Sequence, residues 1–193
     1  MVLETLAESG ELSEKDDDIR RLESDFSGST AYRLSFFKTI VRDVSTLATT
    51  RNKAMIGYVI LKINDFASGQ KTNIYESVLR PVHHNNSFIK GQQSWKITVA
   101  TRDFTLDGHL YAQQNGISNC CAHVALRTAG GCFPNGQMSY RRMNEIAGIN
   151  LLTRRPGGGL AFREMVKILE AMGARCFAAA YRTRSKKKPP APF

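Results

Sequence analysis

Residues 111–131 read YAQQNGISNCCAHVALRTAGG. A polar, glycine-containing loop here delivers a cysteine to the first turn of an apolar helix. The sequence predicts that helix over CAHVALRTA and its end at Gly130–Gly131. Backbone N–H groups and the helix dipole at such a position favour a thiolate and lower the thiol pKa. A side-chain amide nearby can donate to the oxyanion formed when the thiolate attacks a carbonyl, and Gln114 precedes Cys121 by seven residues. The same pattern has a plainer reading, because a free cysteine beside an apolar helix is commonly a small core residue.

The stretch resembles the nucleophile region of papain-like cysteine peptidases, in which a loop glutamine precedes a cysteine that opens the central helix. It is most similar to the bacterial, bacteriocin-processing (C39-like) branch, through Gln113-Gln114-Asn115 and then Cys121-Ala122-His123 with Leu126. The resemblance implies Gln114 as the oxyanion-hole residue and Cys121 as the nucleophile, acting on a peptide or isopeptide bond of a peptide or protein substrate. GGLAFREMVKILEAMGAR (158–175) resembles the segment that follows the nucleophile in that branch. GYVIL and LDGHLYAQQ resemble its strand-rich lead-in. Together these matches cover 55–181. Cys120, six residues after Gln114, is the alternative nucleophile. Cys121 is preferred because it sets Ala122, Val124, Ala125 and Leu126 on the helix as the family has them.

A papain-like site also needs a later histidine to take the thiol proton and an Asn or Asp to orient that ring. No histidine follows His123. His123 lies two residues from Cys121, on a different side of a helix, so it reads as a packing or hydrogen-bonding residue. His83, His84 and His109 lie upstream, an order the family does not use. The expectation is therefore an incomplete papain-like domain: a truncated fragment, a subunit completed by a second chain, or an inactive derivative. As this chain alone it is expected to be a weak or dead hydrolase.

The elements around this centre follow from periodicity. MIGYVILKI (55–63), nearly continuous in apolar and β-branched residues, predicts a buried strand, and NIYESVLRPV a second that stops near Pro81. Trp95, Ile97 and Val99 alternate with polar residues as a half-buried strand does, and LDGHLYA is expected to follow a turn at Asp107–Gly108. Downstream, SYRRMNEIA predicts a helix. Phe162, Met165, Val166, Leu169 and Met172 mark another, stopped by Gly173, and RCFAAAY predicts a strand. Upstream, Ser13 with Asp16 suggests a capping box for a helix over 14–26, linked through 27–30 to an amphipathic helix over 32–48 that carries Phe36, Phe37, Ile40, Val41, Val44 and Leu47. The expected fold class is α+β, with an acidic, helical N-terminal appendage at 1–31, a helix and link at 32–54, the partial domain at 55–181 and a basic, proline-containing disordered tail at 182–193.

Composition restricts the function classes. The 193 residues carry 27 Lys and Arg against 17 Asp and Glu. Residues 1–26 hold nine of the acids and three of the bases, so everything after them is strongly basic. Such a field attracts polyanions or acidic proteins. A basic binding module working through Arg141, Arg142, Arg154, Arg155 and the 182–188 run is the rival reading, and a non-catalytic pseudopeptidase is another. No apolar run reaches membrane-spanning length, and the acidic start does not resemble a secretory signal, so the expected setting is cytoplasmic. No cofactor is expected. Cys120, Cys121, His123 and Cys132 are too crowded to make a convincing zinc set.

Overall fold

The computed structural model describes residues 1–8, 10–81, 93–113, 121–136, 138–150, 153 and 159–177, with Cys121 described through its backbone. The described elements run β1 (Val2–Leu6), α1 (Glu11–Leu22), β2 (Phe26–Phe37), α2 (Val44–Thr49), a 3-10 turn (Asn52–Ala54), β3 (Met55–Phe66), β4 (Gly69–Leu79), β5 (Gln93–Val99), β6 (Arg102–Tyr111), α3 (Cys121–Gly130), α4 (Tyr140–Ala147) and α5 (Phe162–Ala171). The strands form one curled antiparallel sheet in the order β1-β2-β3-β4-β6-β5. The fold is mixed α+β.

β3 is the spine of the sheet. Its alternation buries Tyr58, Ile60, Lys62, Asn64 and Phe66 while Val59, Leu61 and Ile63 stay half-buried on the other face. Leu12 of α1 packs with Tyr58, Ile60, Tyr75, Trp95, Phe104 and Leu110 in the main core. Two of the buried β3 positions are polar, which only a partnered site tolerates. Lys62 Nζ meets Asp16 of α1 in a close ion pair and reaches the Leu12 carbonyl at 3.4 Å, while Ser29 Oγ donates to both Asp16 carboxylate oxygens at 2.9 and 2.8 Å. This buried triad fixes α1 against β2 and β3.

The helical appendage expected at 1–31 is instead part of the sheet and its packing, through β1, α1 and the start of β2. α1 is present, although it starts at Glu11 after Gly10 and ends at Leu22, before Phe26 enters β2. The helix expected over 32–48 is absent. The chain from Phe26 to Phe37 is instead a strand that pairs with β3 along its length and with β1 at Ala31–Ser35. The helical spacing of Phe36, Phe37, Ile40, Val41, Val44 and Leu47 arose from joining the end of a strand to the short helix α2. There Asp43 caps the helix by accepting Thr46 N–H at 2.7 Å, and Leu47 is buried. Ladder bonds to strands distant in sequence override a local pattern of this kind.

The turn expected at Asp107–Gly108 is also corrected. Both residues lie inside β6, and the β5–β6 reversal falls at Ala100–Thr101, where Ala100 takes φ 49. Gly108 serves close approach instead, because a Cβ there would stand 2.5 Å from the Leu79 carbonyl oxygen of β4. Gly57 answers it from β3, where a Cβ would lie 2.5 Å from Leu79 Cδ2. Two glycines thus let three strands crowd around Leu79 at the bend of the sheet.

A second apolar core joins α3, α4 and α5 through Leu126, Tyr140, Met143, Ala147, Leu160, Ile168 and Met172. Ser139 caps α4 by accepting Arg142 N–H at 3.3 Å, and Gly148 closes it at φ 70. Glu164 Oε2 accepts Ala161 N–H at 2.6 Å at the start of α5. The strand expected over 175–181 does not begin at Arg175, Cys176 or Phe177, which have no regular structure, and its remainder lies outside the described residues.

Candidate functional site

Cys121 is the first described residue of α3. Gln114 and Cys120, the proposed oxyanion donor and the alternative nucleophile, lie outside the described residues. What can be built from the residues upward is the seating of the helix that Cys121 opens.

Polar clamps hold α3 from three directions. Toward the sheet, Thr128 Oγ1 donates to the Leu110 carbonyl of β6 at 3.2 Å and to Val124 O at 3.0 Å, while Gln93 Nε2 of β5 donates to the Thr128 carbonyl. Toward α4, His123 Nε2 lies 2.7 Å from Asn144 Oδ1, and its ring meets Tyr140 edge-on with centroids 6.1 Å apart. With the carboxamide oxygen accepting, Nε2 carries the proton. Toward α1 and β4, Arg127 places Nη2 3.1 Å from Glu11 Oε2 and Nη1 3.0 Å from Glu76 Oε2, with its guanidinium 5.6 Å from the Tyr140 ring centroid. The Nη1 contact is an ion pair without hydrogen-bond alignment. Tyr58 donates to the other Glu76 oxygen.

This network perturbs its members in opposite senses. Burial works against the Arg127 charge, but Glu76 and Glu11 outweigh it and hold the guanidinium pKa above its ordinary value. Burial also lifts the Glu11 carboxyl above 4.5, Arg127 opposes that rise, and Glu76 and Glu14 add to it. Burial lifts Asp18 above 3.8 against the attraction of Lys15 and Arg141. Loss of hydration raises Tyr58, and the neighbouring Glu76 carboxylate adds to the effect.

The two described histidines are both turned away from the start of α3. His123 is 5% exposed and turned to Asn144, about 200° around the helix from position 121 at roughly 100° per residue. His109 pairs with Leu79 in the β4–β6 ladder, and its neighbour Leu110 fills the main core. Alternation therefore directs His109 to the sheet face opposite α1 and α3. His83 and His84 lie outside the described residues.

The other sequence candidates divide similarly. Arg141 is occupied by the Glu14 carbonyl at 2.8 Å and by Asp17 and Asp18 at 3.5 Å, and Arg142 by Glu145 at 2.8 Å. These two arginines thus already have acidic partners among the described residues. Arg154, Arg155 and the 182–188 run lie outside the described residues. Among the described residues no three His, Cys, Asp or Glu side chains gather as a metal set, and no helix is long and apolar enough to cross a membrane. Sequence reasoning missed the Arg127–Glu11–Glu76 and Lys62–Asp16 networks. The available signal was Lys62 itself, a cation at an inward position of an otherwise apolar strand.

Comparison with family models, with curated proteins and with solved structures returns no match for this chain.

Proposed function

We propose that the chain carries the nucleophile half of a papain-like thiol hydrolase of the C39-like kind, acting on peptide or isopeptide bonds in a cytoplasmic setting, and that these 193 residues alone turn over weakly or not at all. The observation that supports this reading is the place of Cys121 as first described residue of α3, a helix anchored at His123 to α4, at Arg127 to α1 and β4, and at Thr128 to β6. A nucleophile on a clamped helix meets the need for a fixed attack geometry.

In the proposed chemistry the Cys121 thiolate adds to the carbonyl carbon, and the Gln114 amide and the Cys121 N–H hold the oxyanion. The C–N bond breaks as the amine leaves with a proton, and water then releases the acyl group from sulfur. An imidazole must take the thiol proton and return it to the amine. No histidine after His123 is present to do so, so a second chain or further sequence would supply it.

Free imidazole should substitute for that base in part. Turnover of a mixed peptide library is expected to be at background in plain buffer, to rise with added imidazole, and to vanish in Cys121→Ser while persisting in Cys120→Ser. Imidazole-stimulated cleavage that survives Cys121→Ser would refute the assignment.

A further inference from the structure

A cavity of about 680 Å³ lies at the corner where the chain leaving β2 meets α2 and the 3-10 turn, far in sequence from Cys121. Lys38, Arg51 and Lys53 line it, together with Ile40, Thr50 and Ala54, and no acid does. None of the three cations makes an ion pair among the described residues, and what sets them apart from other unpaired cations such as Lys96 and Lys167 is that they share one cavity. The one acid in this stretch, Asp43, is committed elsewhere. It accepts from Thr46 N–H, Thr46 Oγ1 and Ser45 Oγ at 2.7–2.8 Å, and those bonds hold its carboxyl near a pKa of about 2. Three like charges around one cavity repel each other unless an anion joins them.

The frame beneath those side chains is fixed. Lys38 N–H donates to the Ala54 carbonyl at 2.8 Å, and Asn52 exchanges two bonds with Thr105 of β6, at 3.0 and 2.6 Å. Thr50, Ala54 and the neighbouring Met55 are buried, so the cations project from a turn clamped to the sheet. We propose that this corner is a binding site for a phosphate ester. Three separate cations suit a group with two or more negative charges presented in several directions, while a single carboxylate is served by one guanidinium. The cavity is larger than a phosphate group, and Ile40 and Ala54 give it an apolar wall for the organic body of the ester. The same chemistry is offered by a soluble phosphorylated molecule and by a phospholipid headgroup. The site is independent of the thiol chemistry proposed for Cys121.

Inorganic pyrophosphate titrated into the ¹⁵N-labelled chain, and vesicles of phosphatidic acid in phosphatidylcholine against phosphatidylcholine alone, separate the two sources. The pocket variant is Lys38→Gln/Arg51→Gln/Lys53→Gln. The charge-matched control is Lys96→Gln/Arg163→Gln/Lys167→Gln, also exposed cations outside ion pairs. Saturable amide shifts confined to 38–54, weakened at least tenfold in the pocket variant and less than twofold in the control, are expected from a soluble ligand. Sedimentation with phosphatidic acid vesicles, lost in the pocket variant and kept in the control, assigns the headgroup and equally supports the site. Shifts scattered over the basic surface, equal losses in both variants, or no response in either arm would overturn it.

Discussion

Arg127 lies 10% exposed between two carboxylates from different elements, and its removal would strand both. Breaking a buried charge pair on one side typically costs about 3–5 kcal/mol, so Arg127→Met should lower unfolding stability by roughly that amount in denaturant titration. Glu11 behaves differently. Its carboxyl is raised above 4.5 because burial outweighs Arg127, even though the side chain is 39% exposed. A carboxyl with a raised folded pKa contributes its stability below the unfolded value and loses it as pH rises through the folded one. Glu11→Gln should therefore be more stable than the parent at pH 7 and equal to it below pH 4, measured by urea unfolding at both. A variant that is less stable than the parent at pH 7 would contradict the sign. Neither role was legible in the sequence, where Glu11 is one acid among many and Arg127 one base among many. Partners so distant in sequence meet only once the sheet is assembled.

Among the elements, β3, β4, α4 and α5 are readable because their apolar positions repeat at the period of the structure they adopt. β2 is not. Its polar start at 27–30 reads as a link, and its aromatic end runs into α2 with helical spacing. Its identity comes from the two strands beside it. The seating of α1 was hidden for a related reason, since Asp16 looks like a helix-start signal and functions as the partner of Lys62. Asp16→Ala leaves that lysine buried without a countercharge and should cost about 3–5 kcal/mol. The apolar pair Asp16→Leu/Lys62→Met should recover most of the loss, and equal destabilisation by both variants would refute the pairing. At the bend, Gly108→Ala forces a Cβ against the Leu79 backbone and should cost about 1–3 kcal/mol in thermal or denaturant unfolding.

For the molecule as a whole, the curled sheet with α1 and the three-helix cluster meet through ion pairs and neutral hydrogen bonds, and their buried apolar residues form two separate clusters. The helix that Cys121 opens lies at that junction. The loop-then-helix pattern made α3 legible from sequence. Its anchoring was not, because the anchoring residues come from β4, β5, β6, α1 and α4. The central proposal is that Cys121 is a reactive thiol on α3 that neither described histidine, His109 nor His123, serves as a base. A helix N-terminus contributes about 0.3–1 kcal/mol, less than one pKa unit from an ordinary thiol near 8.5, whereas an imidazolium partner drives a thiol down to roughly 3–4. The direct measurement is the iodoacetamide alkylation rate against pH for Cys120→Ser, Cys121→Ser and their parent, all in a Cys132→Ser/Cys176→Ser background, because Cys132 is an exposed free thiol and Cys176 a half-buried one. The account predicts a single pKa near 8 that disappears only with Cys121→Ser. A pKa below about 5, accompanied by Cys121-dependent peptide cleavage without added imidazole, would contradict it.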